Sequence, residues 1–156
     1  MNNTTQQKGV TLVEILVIVA IIGILFAIVG LPFLKFRQQQ ALQNTTNAVV
    51  SVINEARTKT LAAVNSSVYS VRIQSDRVIL FSGASYNSAD TTNQTTLFET
   101  PITGTWSLQP TPGTTDTITF VRLTGTTTNS GTITLSIPSG ATRTVTISSL
   151  GTITRN

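Results

Sequence analysis

Hydrophobic and polar positions divide this chain into three regimes. Residues 1–9 (MNNTTQQKG) are polar, and an uncharged apolar run then extends from Ile15 to Leu34. Such a run is about twenty residues long, the length a helix needs to cross a bilayer core. From Lys35 to Asn65 neither Pro nor Gly occurs, and Leu42, Val49, Ile53, Ala56, Thr60 and Ala63 recur at spacings of three, four and seven. That spacing marks one face of an amphipathic helix, with Gln38, Gln39, Gln43, Asn44, Asn54 and Lys59 largely off the stripe. The helix is expected to continue from the apolar run and to end at Asn65-Ser66-Ser67. From Val68 onward the period falls to two, the signature of strands.

The β region begins with Val68–Ile73 and Arg77–Phe81 around a turn at Ser75-Asp76. Gly83–Glu99 is polar and irregular and is expected to be a loop or insertion. A short strand at Trp106–Leu108 precedes a turn at Pro110–Gly113, and Thr117–Leu123, Gly131–Ile137, Arg143–Ser148 and Gly151–Arg155 follow as strands. Turns at Pro138-Ser139-Gly140 and Ser149-Leu150-Gly151 make an antiparallel meander the natural connection. Thr-Ile-Thr alternation places isoleucines on one face and threonines on the other, a half-buried sheet whose partner is the helix stripe. The predicted fold is therefore α+β: a long N-terminal helix, half transmembrane and half amphipathic, packed against an antiparallel β-meander head. The expected organisation is a leader at 1–9, a membrane helix at 10–34, a stalk helix at 35–65 and a head at 66–156.

Two features of the apolar run need a reason beyond anchoring. Glu14 stands at its start, where a carboxylate costs roughly 2.5 to 3.5 kcal/mol if it must enter the membrane centre. Gly30-Leu31-Pro32 interrupts the run, and a proline there removes a helix hydrogen bond, so a kink at Gly30 and Pro32 is expected. Lys35 and Arg37 mark the membrane exit. Because the leader offers only Lys8 and the terminal amine, the count of cations does not favour a cytoplasmic N-terminus.

Composition removes several chemistries. The 156 residues contain no Cys and no His, which excludes disulfides, thiolate chemistry, Ser-His and Cys-His nucleophiles and the commonest zinc ligand. Ten cations and six acids leave a net charge of +4, but the cations are scattered and form no basic run. Apart from Glu14 the acids stand alone at Glu55, Asp76, Asp90, Glu99 and Asp116, without the pairing that acid–base catalysis or a calcium loop requires. No Gly-rich phosphate cradle is present. The chain is not expected to be an enzyme, and nothing in it asks for a cofactor or a metal.

Gly9-Val10-Thr11-Leu12-Val13-Glu14 followed by Ile15–Leu25 resembles the prepilin-type N-terminal motif of type IV pilins and type II secretion pseudopilins, over Lys8 to Pro32. The resemblance implies cleavage between Gly9 and Val10 by a prepilin peptidase, N-methylation of Val10, and assembly through Glu14, which in the family pairs with the amine of a neighbouring subunit. It departs from the family at Val10, where Phe is usual. It also supplies the orientation: a single-pass protein of the cytoplasmic membrane, with the head outside the cytoplasm, later built into a pilus or pseudopilus. The implied partners are the prepilin peptidase, other pilin or pseudopilin subunits, an inner-membrane assembly platform and membrane lipid.

Further on, Phe120, Gly125, Gly131–Leu135 and Arg143 through Gly151–Ile153, with Glu55-Ala56-Arg57 and Ala62-Ala63, are similar to the GspH/FimT-type minor pilins. Some FimT-like pilins bind DNA through a Gly-Arg-x-Arg tail, for which Gly151–Arg155 keeps one arginine, with Arg143 as a second candidate contact. Two arginines release few counterions and lack a stacking platform, so a nucleic-acid partner is disfavoured. The expected function is that of a minor pseudopilin of the GspH/FimT kind. The competing expectation is a membrane-anchored β-domain acting as an adhesin, or a DNA-binding minor pilin for DNA uptake.

Overall fold

A computed structural model describes residues 9–26, 33–110 and 115–156. The leader up to Lys8, the kink expected at Gly30 and Pro32, and the centre of the expected turn at Pro110–Gly113 lie outside the described residues. The chain divides into two compact units, Met1–Arg37 and Gln38–Asn156. Helix α1 is assigned from Leu12 to Leu61.

In the second unit α1 supplies a stripe to the core. Leu42, Val49, Ile53 and Ala56 are buried at the expected positions, and Thr60 joins them. Thr45 and Thr46 are buried too, and Thr46 satisfies its hydroxyl by donating to the Leu42 carbonyl at 2.7 Å. Bonding back to the helix in this way lets a buried threonine avoid an orphaned polar atom.

The α-helix stops at Leu61, four residues before the expected end. Ala63 is left-handed at φ 48°, and a single 3-10 turn at Val64–Ser66 follows, with Asn65 and Ser66 also at positive φ. No Gly or Pro signals this reversal in the sequence. It is held by Thr60, whose hydroxyl donates to the Ala56 carbonyl at 2.8 Å and accepts from the Tyr69 amide at 2.8 Å. One side chain thus closes the helix and aims the first strand. Ala63 falls beyond the helix and off the buried stripe.

Eight strands follow: β1 Tyr69–Ile73, β2 Arg77–Ser82, β3 Gln94–Leu97, β4 Thr103–Leu108, β5 Thr117–Thr119, β6 Gly131–Ser136, β7 Thr142–Ile147 and β8 Ile153–Arg155. The α+β class holds, and the head is two four-stranded antiparallel sheets rather than one meander. The first has the order β3-β2-β1-β5 and the second β4-β6-β7-β8. Short turns join β1 to β2 and build β6-β7-β8 as consecutive hairpins, whereas β3 returns to β2 after the longer connection at 83–93. The non-local pairings, β5 on β1 and β4 on β6, divide the strands between two sheets.

Register explains the burial. Val71 pairs with Leu80 and with Ile118, and Ile73 with Val78, so one face of the first sheet is continuous hydrocarbon. In the second, Ile133 pairs with Val145 and Trp106, and Gly131 with Ile147. These residues and the α1 stripe form one hydrophobic core.

The segment expected to be an irregular loop, Gly83–Glu99, contains strand β3 and carries an aromatic anchor. Tyr86 meets Phe81 edge-to-face at 5.4 Å between centroids, and the Arg72 guanidinium lies 4.7 Å from the Tyr86 ring centre. Phe81 and Ile79 point away from the helix side of β2, so Tyr86 helps cover a face that would otherwise expose hydrocarbon.

Candidate functional site

The first turn of α1 brings the candidate assembly residues together. Gly9 and Val10 precede the helix, and Glu14 is the acid in its first turn. Thr11 caps it: the Glu14 amide donates to Thr11 Oγ1 at 3.3 Å and the Ile15 amide to the Thr11 carbonyl at 3.3 Å. Four N-terminal amides of a helix lack intrahelical partners, and a threonine in this place satisfies one of them. Thr11-Leu12-Val13-Glu14 has the Thr-x-x-Glu spacing of a capping box, which places a carboxylate at the positive end of the helix dipole. Thr11 was the residue the hydropathy pattern passed over, and that spacing was the signal available for it.

Beyond this turn the helix is apolar on every side. Leu12 and Phe26 are about four-fifths exposed at 81% and 80%, and the large apolar residues between them are all at least 45% exposed. A helix with no polar face needs cover from lipid or from other helices. Among the described residues, no helix is long and apolar enough to cross a membrane. The twenty-residue run of the sequence continues through 27–32, outside those residues.

Arg143 and Arg155, the candidate nucleic-acid contacts, lie in β7 and β8 and converge. Both are exposed and border a shallow depression of about 190 Å³ with Gln43 and Thr46 of α1. Arg155 donates to Asn47 Oδ1. Among the described residues, the ion pairs within 4.0 Å are Glu55–Lys59, Arg72–Asp116 and Asp76–Arg77, and neither arginine takes part.

A separate cluster fixes the opposite end of the head. Arg57 Nε donates to the Gly125 carbonyl at 3.2 Å. Gly125 and Gly151 both adopt left-handed backbone, at φ 65° and 76°, and a Cβ built on Gly151 would overlap the Gly125 carbonyl oxygen. Here glycine is required twice over, by conformation and by space.

Two family models match. The prokaryotic N-terminal methylation motif matches residues 4–30, which include Gly9, Val10 and Glu14. The type II transport protein GspH matches residues 35–151. The chain belongs to the GspH family. Members of this family are pilin-like minor pseudopilins, structural subunits rather than enzymes, and with the methylation motif they are membrane-anchored components of a filament. No curated protein and no solved structure matches this GspH-family chain. Its fold suits a structural subunit: an apolar helix exposed from Leu12 to Phe26 and a β head built on one hydrophobic core.

Proposed function

We propose that this chain is a minor pseudopilin that enters a type II secretion pseudopilus by packing its N-terminal helix among those of other subunits. A prepilin peptidase cleaves between Gly9 and Val10, the new amine of Val10 is methylated, and an inner-membrane assembly platform draws the subunit from the bilayer. The observation that carries this is the all-round exposure of the apolar side chains from Leu12 to Phe26, directly after a capped turn that holds Glu14. A helix of that kind is equally suited to hydrocarbon and to a bundle of like helices, so it can pass from one to the other.

Glu14 then has an assembly role. An unpaired carboxylate in hydrocarbon is costly, and pairing with the Val10 amine of a neighbouring subunit offsets that cost. The test is Glu14→Ala in cells that carry the secretion system. The variant is expected to reach the membrane at wild-type levels and to be lost from the sheared filament fraction. Wild-type recovery in that fraction would refute the role of Glu14.

A further inference from the structure

We infer that Arg143 and Arg155 form a docking surface for anionic phospholipid headgroups, holding the head against the bilayer before the subunit is extracted. The inference rests on the reading of the apolar run as a membrane anchor.

Topology gathers the two arginines at the end of the head where α1 enters it. β7 starts at Thr142, next to a turn at 137–141 that borders Gln39 and Leu42, the first residues of α1 in this unit. β8 pairs antiparallel with β7, Val145 opposite Arg155, so the last strand returns to the same end. Arg143 and Arg155 lie on the face that carries Val145 and Ile147, at the point where hydrocarbon gives way to solvent.

Both guanidinium groups are free to take an anion. Arg155 spends one donor on Asn47, and a guanidinium has five. No carboxylate lies within 4.0 Å of either group among the described residues. Gln43 lines the same depression and adds a neutral amide donor. Planar guanidinium forks with an amide neighbour suit the oxygens of a phosphodiester.

Covalent connection selects a membrane as its source. Gln39 borders this surface and follows Leu34, the last residue of the apolar run, by five positions, so the intervening chain reaches at most about 18 Å. The anchor therefore delivers the arginines to headgroups at high effective concentration, and two weak contacts suffice where free association would need many. Each is expected to favour the docked head about five-fold at an anionic surface, and the pair about 25-fold. Two phosphate contacts without a stacking platform are too few for useful affinity to free nucleic acid.

The experiment uses the full chain in vesicles of phosphatidylcholine alone or mixed with phosphatidylglycerol. The chain has no cysteine, so Ser139→Cys and, in a second protein, Ser149→Cys each carry a single fluorophore at the two ends of β7. Phosphatidylglycerol is expected to shield the label at 139 from an aqueous quencher and to leave the label at 149 unchanged. Arg143→Gln and Arg155→Gln should each reduce the docked-to-undocked ratio about five-fold, and high salt should abolish the shielding. Equal quenching at 139 in both vesicles, in protein that resists carbonate extraction, would overturn the docking surface and leave the anchor standing. Protein extracted by carbonate would overturn the anchor and the docking surface with it. Arginine-dependent shielding by added duplex DNA, without any effect of phosphatidylglycerol, would assign the arginines to nucleic acid instead.

Discussion

Gly151→Ala tests whether the helix end and the two distal loops are held as one joint. The backbone at Gly151 has φ 76°, where an L-residue costs roughly 1–2 kcal/mol. The new Cβ would also overlap the Gly125 carbonyl oxygen and lie 3.1 Å from Arg57 Nε. Relief requires moving the 125 loop, which breaks the Arg57–Gly125 bond, worth about 1.5–3 kcal/mol for a charged donor. The total is about 2.5–5 kcal/mol, or roughly 1.3–2.5 M in urea midpoint for an m-value near 2 kcal/mol/M. Gly140→Ala is the control, because Gly140 has φ 90° with nothing within 4 Å and carries only the conformational cost. Urea titration of the full chain in detergent, followed by Trp106 fluorescence, measures both. In an Arg57→Met background the Gly151→Ala cost should shrink, since the bond is already gone. Equal destabilisation by Gly151→Ala and Gly140→Ala would refute the joint.

Three other predictions concern the second unit. Thr60→Val keeps the shape of a fully buried side chain but leaves the Tyr69 amide without its acceptor, and is expected to cost about 1–3 kcal/mol by urea denaturation. Ile53→Ala removes a fully buried residue from the centre of the helix stripe and should cost about 2–5 kcal/mol in the same assay. Acid sensitivity has a specific source: the Arg77 hydrogen bond, then the Arg77 charge, holds the Asp76 carboxyl below its ordinary 3.8. A depressed carboxyl contributes stability that is present above the ordinary value and is lost as pH falls through the native one. Thermal melts from pH 6 downward should therefore lose a small increment below about pH 4, and Asp76→Asn should remove that increment; an unchanged acid limb in the variant would contradict it.

The class of fold was legible because periodicity is a local property. Leu42, Val49, Ile53 and Ala56 declared a helix face by spacing alone, and Thr-Ile-Thr alternation declared half-buried strands. What was hidden depends on partners distant in sequence. The helix ends at Leu61 because Thr60 captures the Tyr69 amide, and no Gly or Pro marks that event. The two sheets exist because β5 returns to β1 and β4 to β6, pairings that no local pattern encodes. Gly83–Glu99 looked unanchored because its two aromatics gain value only from partners distant in sequence, Tyr86 against Phe81 and Arg72, and Phe98 as part of the hydrophobic core.

The candidate site shows the same division. Gly9, Val10 and Glu14 stand out as a contiguous motif, and Thr11 adds to them through a spacing that a search for caps would have found. Arg143 and Arg155 are twelve residues apart, and no local pattern shows that they share one surface. Antiparallel pairing of β7 with β8 brings them to one depression beside α1, where their charge has somewhere to act.

The most direct test of the assembly account is the mass of the mature N-terminus in membranes of cells that carry the secretion system. The account predicts a chain that begins at N-methylated Val10, with residues 1–9 removed. A chain retained in the membrane that still begins at Met1, or is cut on the far side of the apolar run, would contradict it.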